Sequence, residues 1–335
     1  MKAIAFDQPG GPEVLQIREW EQPVPGPHEV LVKVAATALN RADTLQRRGK
    51  YPPPAGASPL LGLEVAGQIV ARGAEADRWR EGTRVCALLA GGGYAEYVAV
   101  DEQLLLPIPD GMTMEQAAAI PEVFLTAFQA LECLAEWQPG ERVLIHAGAS
   151  GVGTAALQLA RQKGVTSLVT ASSGKHDICR QLGASCAIDY RSQDFRKVVL
   201  DQTDGRGVDI ILDFLGASYW NDNVACLAMD GRLLLLGLMG GVKVEPCNLL
   251  PLLQKRLRIQ GSTLRARSLT YKRQLVKDFT TAYWDQFADG RLRAIIDSVF
   301  DWTEVVAAHQ RMEANLNSGK IVVRIEDDSS GQSKQ

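Results

Sequence analysis

A glycine-rich turn is the feature of this chain that most clearly points to chemistry. It reads Gly148-Ala149-Ser150-Gly151-Val152-Gly153 and lies between an apolar segment and a segment rich in Ala, Leu and Gln. The order predicts a buried strand, a turn and a helix, and a helix start binds pyrophosphate through free N–H groups and the helix dipole. Small residues let the phosphate approach the backbone. We therefore predict dinucleotide-binding residues at Gly148, Ser150, Gly151, Val152 and Gly153, the competing interpretation being an ordinary glycine-rich turn.

The residues after the second predicted strand indicate which dinucleotide binds. A site that prefers NAD places Asp or Glu about 20 residues beyond the glycines, but the first acid after Gly153 is Asp177, already inside the next predicted helix. A carboxylate repels a 2′-phosphate, whereas hydroxyls and a lysine bind it. The sequence therefore favours NADPH, bound by Ser172, Ser173, Lys175 and Tyr190. Helix capping and a solvated surface would explain the serines and the lysine, but not the missing acid.

The elements around the turn predict an α/β fold with a doubly wound parallel (Rossmann) sheet. Short, nearly continuous apolar segments alternate with helical patterns, which is typical of a parallel sheet covered on both faces. Six such strands with crossover helices form a nucleotide-binding domain. The predicted strands are Arg142–Ala147, Ser167–Ala171, Cys186–Asp189, Val208–Phe214, Arg232–Leu236 and Arg258–Ser262.

A second, β-rich domain is predicted from the residues on either side. The first 110 residues or so alternate short apolar runs with Gly/Pro turns. A helix then begins at Thr113, with Pro121 as a potential interruption, and continues from Thr126 to Leu134. After Leu264 the pattern predicts, in order, helix, strand, helix and strand over Tyr271–Phe287, Ala294–Phe300, Thr303–Ala314 and Ile321–Ile325. We expect domain bounds at 1–120, 121–264 and 265–325, the last returning to the first domain, and a polar tail at 326–335.

Composition excludes several classes of function. The 335 residues carry 36 basic and 39 acidic side chains, a net charge of −3, without a long basic run. This argues against nucleic-acid or anionic-membrane binding. No apolar run is expected to reach the roughly 20 residues of a membrane span. The six cysteines lack CxxC spacing, which predicts reduced thiols in the cytoplasm and no thiolate metal site.

Several motifs together resemble the medium-chain dehydrogenase/reductase superfamily over nearly the whole chain. Within it the likeness is to zinc-free quinone oxidoreductases of the p53-inducible type. The resemblance implies a GroES-like catalytic domain for the β-rich part. It is carried by the glycine turn and by Ala38-Leu39-Asn40-Arg41-Ala42-Asp43, Leu61-Gly62-Leu63-Glu64-Val65-Ala66-Gly67, Gly91-Gly92-Gly93-Tyr94-Ala95-Glu96-Tyr97-Val98, Ala117-Ala118-Ala119-Ile120-Pro121 and Gly237-Leu238-Met239-Gly240-Gly241.

The resemblance also argues against zinc. Zinc enzymes of the superfamily place a ligand cysteine where this chain has Asn40, and a ligand histidine before the glutamate where it has Leu63. An amide and a leucine cannot replace N or S ligands at 2.0–2.3 Å. No metal is expected, and the acceptor must be electrophilic by itself.

The resemblance implies catalytic roles for Asn40 and Tyr51. Asn40 would orient substrate or nicotinamide, and Tyr51 would contact the acceptor, with Asp43 nearby. The competing interpretations are a turn-forming asparagine and a loop tyrosine packed on the following prolines. His146 is expected to be a satisfied core histidine.

Further cofactor contacts are implied at the Gly237, Leu238 and Met239 loop, which would approach the nicotinamide carboxamide. Asn317, with Lys320, would close over the cofactor.

The function implied is an NADPH-dependent quinone reductase. Two alternatives stay open: an NADPH-dependent alkenal or enoyl C=C reductase, and a non-enzymatic NADPH-binding protein. The apolar edge strand near Arg258 predicts pairing with a second copy, hence a homodimer.

Overall fold

The computed structural model describes residues 1–325. The predicted polar tail, 326–335, lies outside the described residues. Within them the strands are β1 Lys2–Ala5, β2 Gln16–Glu19, β3 Glu29–Ala38, β4 Glu64–Arg72, β5 Arg84–Leu88, β6 Tyr97–Asp101, β7 Leu105–Pro107, β8 Arg142–Ile145, β9 Thr166–Ala171, β10 Ala184–Asp189, β11 Val208–Asp213, β12 Leu227–Leu235, β13 Arg258–Gly261, β14 Ile296–Asp301 and β15 Lys320–Arg324.

The α-helices of the same range are fewer than the strands. They are α1 Arg41–Arg47, α2 Met114–Ala118, α3 Pro121–Phe128, α4 Gly151–Lys163, α5 His176–Gln181, α6 Phe195–Asp201, α7 Trp220–Cys226, α8 Leu250–Gln254, α9 Leu269–Tyr283, α10 Asp285–Ala288 and α11 Val305–Glu313. A π-helical segment, Gln129–Leu134, follows α3. The chain divides into two compact units: unit 1 comprises 1–125 and 265 onward, and unit 2 comprises 126–264.

Unit 2 is built on a six-stranded parallel sheet in the order β10-β9-β8-β11-β12-β13. In chain order this is 3-2-1-4-5-6, the doubly wound arrangement, so the predicted Rossmann sheet is confirmed. Every residue of β11 is buried, as a central strand covered on both faces requires. The order reverses between β8 and β11, and a ligand crevice is expected outside the carboxyl ends of the strands at this point.

Unit 1 is β-rich, as predicted. Its seven-stranded sheet has the order β14-β15-β3-β4-β5-β7, with β6 also pairing β3, and β1 pairs β2 separately. All neighbours are antiparallel except β14 and β15, which run parallel. The long strand β3 lies in the middle of this unit. Most of its residues are apolar and buried, as a central strand requires.

The helix is interrupted at Pro121, as the sequence allowed: α2 ends at Ala118 and Pro121 begins α3, where its missing N–H costs nothing. A second helix differs from prediction. The predicted helix over Tyr271–Phe287 divides into α9 and α10 at Trp284. The Trp284 indole donates to the Pro107 carbonyl at 3.0 Å and its ring packs on Phe287. Local aromatic packing thus sets the break.

The expectation that no stretch approaches a membrane span was wrong for Met114–Leu134. This helical stretch of 21 residues meets the length and composition of a span. However, 72% of its most apolar window is buried inside the protein, as in a core helix of a soluble protein. Most of its larger apolar residues are buried, and its fully buried alanines are Ala117, Ala118, Ala119, Ala127 and Ala130.

Candidate functional site

The glycine turn of unit 2 lies between β8 and α4, as predicted. Ser150 caps α4, accepting the Gly153 N–H at 3.1 Å. A Cβ on Gly148 would lie 2.5 Å from the side chain of Val169 in β9, and one on Gly153 would lie 2.5 Å from the Ala147 carbonyl oxygen. The two glycines are therefore required for the turn to pack against the sheet.

The start of α4 has the donors that a pyrophosphate needs. The first four N–H groups of an α-helix have no acceptor within the helix. Ser150 accepts from Gly153 and Thr154, through its side chain and its carbonyl. Gly151 and Val152, both half-buried, keep N–H groups without an intrahelical partner at the positive end of a 13-residue helix. This turn fits a dinucleotide pyrophosphate.

The predicted 2′-phosphate residues lie at the carboxyl ends of two neighbouring strands. Ser172 and Ser173 follow β9, and Tyr190 follows β10, which pairs with β9. Lys175 is half-buried in the same turn, and its N–H donates to the Ser172 carbonyl at 2.9 Å. Tyr190 is 44% exposed, with the Arg191 guanidinium 5.8 Å from its ring centroid.

One carboxylate lies near this rim, but it is used locally. Asp189 ends β10 and accepts the Arg191 N–H at 3.1 Å and the Ser192 hydroxyl at 2.9 Å. The Arg191 N–H is the main cause that lowers the pKa of Asp189. The rim at Ser172 to Lys175 itself contains no acid, which fits a 2′-phosphate.

The loop after β12 is fixed by backbone contacts to the end of β11. Met239 and Gly240 donate to the carbonyls of Phe214 and Leu215 at 3.0 and 2.7 Å. The Leu238 and Met239 side chains are left about half exposed, at 48% and 53%. Gly237 lies against the Phe214 backbone. The predicted nicotinamide loop is thus a hydrogen-bonded turn that presents two apolar side chains.

His146 is a satisfied core histidine, as expected. It is fully buried, with Nε2 2.6 Å from Asn223 Oδ1 and Nδ1 3.0 Å from Thr170 Oγ1. The Asn223 amide donates to Asp213 at 3.1 Å, so its oxygen faces the histidine and Nε2 carries the proton. Burial lowers the pKa of His146 to about 4. The ring is neutral and ties β8 to α7.

Sequence reasoning missed Asp213 as part of this arrangement. Its carboxylate accepts the N–H groups of Leu215 and Gly216 and the Asn223 amide. Burial raises its pKa despite these donors. A single acid at the end of a strand belongs to no sequence motif. Only the tertiary structure shows that Asp213 fixes the backbone that follows β11.

In unit 1, Asn40 belongs to a buried charged cluster. Its Nδ2 donates to Glu64 Oε1 at 2.9 Å and to the Ala38 carbonyl at 3.2 Å, and its Oδ1 accepts from Lys320 Nζ at 2.7 Å. Lys320 Nζ also lies 2.6 Å from Glu64 Oε1. All polar atoms of the Asn40 amide thus have protein partners.

The prediction that Lys320 closes over the cofactor was wrong. Its side chain is 3% exposed, and its ammonium donates to Leu39 O, Asn40 Oδ1 and Glu64 Oε1. A buried carboxylate needs a cation, and β15 supplies it. Asn317, half-buried, donates through Nδ2 to the Gly319 carbonyl at 2.8 Å in the turn that leads into β15.

Asp43 fixes the start of α1 beneath this cluster. It accepts the Asn40 N–H at 2.7 Å and the Gly62 N–H at 3.0 Å. Burial raises the pKa of Asp43 to about 6. The carboxylate joins α1 to the loop before β4, and so sets where Asn40 lies.

Tyr51 is half-buried, and the guanidinium of Arg265 lies 5.4 Å from its ring centroid. Arg265 is 4% exposed; its Nε donates to the Ala90 carbonyl and its Nη2 to Gln46 Oε1, both at 2.7 Å. Its Nη1 is buried without a hydrogen-bond partner in the described part of the chain. Sequence reasoning missed Arg265, because it is more than two hundred residues from Tyr51 and carries no motif.

The residues at the family's zinc positions do not fit a metal. Leu63 is buried, Asn40 is fully hydrogen-bonded, and the only carboxylate of the cluster is neutralised by Lys320. An ammonium 2.6 Å from the carboxylate would repel a cation there. Throughout residues 1–325 no group of three His, Cys, Asp or Glu side chains is placed to hold a metal ion.

Comparison with known proteins agrees with both halves of the fold. Residues 26–110 match the alcohol dehydrogenase GroES-like domain, which confirms that assignment, and residues 151–281 match the zinc-binding dehydrogenase family. A quinone oxidoreductase of Pseudomonas aeruginosa is 36% identical over 326 residues, 96% of this chain and 99% of that protein.

Two solved structures are similar over nearly their whole length. The Escherichia coli quinone oxidoreductase, complexed with NADPH, has a TM-score of 0.87 at 28% identity and covers 97% of this chain and 100% of its own. The CurK enoyl reductase has a TM-score of 0.86 at 30% identity, covering 96% and 98%.

Proposed function

The chain belongs to the medium-chain dehydrogenase/reductase superfamily, and from this premise we propose that it is an NADPH-dependent quinone reductase that works without zinc, of the p53-inducible type. The observation that carries the proposal is the Lys320–Glu64–Asn40 cluster, because it supplies an ammonium where the zinc enzymes of the superfamily need metal ligands. Without a Lewis acid the acceptor has to be electrophilic by itself, and a quinone is.

The residues of unit 2 hold the cofactor in this proposal. The N–H groups of Gly151 and Val152 bind the pyrophosphate, with Gly148, Ser150 and Gly153 shaping the turn. Bound NADPH supplies the hydride for the reduction. The 2′-phosphate is bound by Ser172, Ser173, Lys175 and Tyr190 through hydroxyl donors and one ammonium. Gly237, Leu238 and Met239 are assigned to the nicotinamide end, and so is Asn317, which belongs to unit 1.

The residues of unit 1 hold the acceptor. Tyr51 offers a half-exposed ring that stacks on or hydrogen-bonds to a planar quinone. The Asn40 amide is already bonded to Ala38, Glu64 and Lys320. Asn40 therefore acts as a positioning residue that keeps α1 and the following loop in place. Substitution of Tyr51 by Ala is expected to raise KM for quinone more than it changes kcat.

A steady-state assay separates this function from its alternatives. NADPH oxidation is followed with an ortho-naphthoquinone and, in parallel, with an alkenal, using NADH in matched reactions. We expect turnover with the quinone and a preference for NADPH. Turnover on the alkenal alone would favour C=C reduction, which the likeness to the CurK enoyl reductase supports. NADPH binding without turnover of either acceptor would leave a non-enzymatic binding protein.

We propose a homodimer formed through unit 2. Strand β13 is at the edge of the sheet, with one side unpaired in the described residues. Exposed apolar side chains come shortly before it, among them Val242 at 74%, Leu249 at 62% and Leu253 at 79%. A free edge beside apolar surface favours strand pairing, and a two-fold axis makes such an edge self-complementary.

All six cysteines are free thiols, in keeping with a reducing cytoplasm.

A further inference from the structure

Glu122 is a half-buried carboxyl of unit 1 that none of the preceding roles uses. It is the second residue of α3, and its N–H donates to Glu64 Oε2 at 2.8 Å. Its own carboxyl has no hydrogen-bond or ion-pair partner among residues 1–325. The backbone is therefore tied to the Lys320–Glu64 cluster, while the acid group stays available to a ligand.

Charged groups from several elements surround this carboxyl. Desolvation by burial is the main cause that raises the pKa of Glu122, to about 8. The carboxylates of Glu64 and Asp43 raise it further, and the ammonium groups of Lys320 and Lys272 partly offset them. At neutral pH the side chain is a neutral carboxylic acid, which can give up a proton. The titratable and charged groups that interact electrostatically with it are Glu64, Asp43, Lys320, Lys272, Arg265 and Tyr51.

Arg265 and Tyr51 mark where an acceptor oxygen would lie relative to this acid. Both interact electrostatically with Glu122 and with each other. Lys272 Nζ donates to the Arg265 carbonyl at 2.7 Å, which fixes the backbone of Arg265. The buried Nη1 of Arg265 has no acceptor among residues 1–325, and a buried donor left unsatisfied is destabilising. An oxygen that becomes negative during reaction would satisfy it.

We propose that Glu122 is the proton donor to the reduced acceptor and that Arg265 binds the acceptor oxygen. This rests on the proposed function, in which the reduced nicotinamide supplies a hydride. The hydride forms a bond to one quinone oxygen, and electrons of the conjugated π system move onto the other quinone oxygen, which becomes an oxyanion beside Arg265. The O–H bond of Glu122 then breaks as the second quinol O–H bond forms. The Glu122 carboxylate takes a proton from solvent before the next turnover.

The test compares Glu122→Gln with Glu115→Gln, an acid on α2 that is ion-paired to Arg324 at 2.8 Å. Glu122→Gln keeps the side-chain shape and the backbone bond to Glu64, and thermal unfolding verifies that both variants fold. The infrared band of a protonated carboxyl, measured on the full chain without cofactor, should disappear near pH 8 in the wild type and in Glu115→Gln. In Glu122→Gln this transition should be absent.

Kinetics supply the second readout. General acid catalysis contributes about 10²–10⁴-fold, so Glu122→Gln should lower kcat by about 10²-fold. The fall of wild-type kcat above about pH 8 should vanish in Glu122→Gln and return in Glu122→Asp. Arg265→Met should lower kcat as well, whereas Arg48→Met, a control in the same unit, should not.

The outcomes separate this assignment from the proposed function. Wild-type turnover that Glu122→Gln leaves unchanged, in rate and in pH profile, would overturn the role of Glu122 and leave quinone reduction standing. A wild type that lacks the titrating acid near pH 8 would overturn it as well. A wild type that binds NADPH but reduces no acceptor would overturn the proposed function and this role together.

Discussion

Removing the ammonium of Lys320 should strongly destabilise unit 1. In Lys320→Met, Glu64 remains fully buried, with the Asn40 amide and the Glu122 N–H as donors but without its cation. Three hydrogen bonds of 2.6 to 2.7 Å are lost at once. Breaking one side of a buried ion pair costs about 3–5 kcal/mol. Because the free energy of unfolding of a whole domain is only about 5–15 kcal/mol, the variant should keep little of its stability.

Urea unfolding followed by tryptophan fluorescence measures this loss. With a slope of about 2–3 kcal/mol per molar urea, a loss of about 4 kcal/mol lowers the midpoint by about 1.3–2 M. Arg324→Ala, on the same strand, removes a half-exposed ion pair with Glu115 and should cost less than about 1 kcal/mol. In Lys320→Met with Glu64→Gln, part of the stability should return, because the uncompensated charge is gone. A loss below 1 kcal/mol in Lys320→Met would refute the cluster as a buried ion pair.

The remaining predictions concern unit 2. Lys175→Ala should weaken NADPH binding by about tenfold or more, from the loss of one charge-assisted hydrogen bond, and leave NADH affinity unchanged in calorimetry; equal losses for both would show that Lys175 does not read the 2′-phosphate. The pKa of His146 is about 4 in the folded protein and 6.5 in the unfolded chain. Its contribution to the free energy of unfolding is therefore complete above pH 6.5, and about 3 kcal/mol of that free energy is lost as the pH falls towards 4. His146→Leu should flatten this part of the acid stability curve, and the exposed His28→Gln should not. Leu253→Glu should shift the protein from dimer to monomer in sedimentation, whereas Val24→Glu, at a similarly exposed position in unit 1, should leave the dimer intact; a wild-type monomer would contradict the dimer proposal.

The parts of the fold that follow local patterns could be predicted from the sequence. Six apolar runs interleaved with helical patterns predicted the parallel sheet of unit 2, and the strand order follows the doubly wound rule. The turn at Gly148–Gly153 could be placed because glycine, serine and an alanine-rich run determine a strand–turn–helix locally. The missing acid after β9 was equally a local observation.

The candidate site of unit 1 could be predicted only in part. Asn40 and Tyr51 were identified through motif resemblance, but their partners Lys320 and Arg265 are distant in the chain and come together only when β15 pairs β3 and the chain returns to unit 1. No periodicity or spacing in the sequence predicts a contact between residues so far apart in the chain. Lys320 was consequently assigned to the cofactor, when in fact it neutralises Glu64.

We propose that the protein reduces quinones with NADPH and without a metal. The most direct measurement is the oxidation of NADPH by an ortho-naphthoquinone, with purified protein that has been treated with a strong chelator. We predict turnover that equals the rate before chelation, one quinol formed per NADPH, and slower turnover with NADH. Activity that is lost on chelation and restored by zinc, or reduction of an alkenal with none of the quinone, would contradict the account.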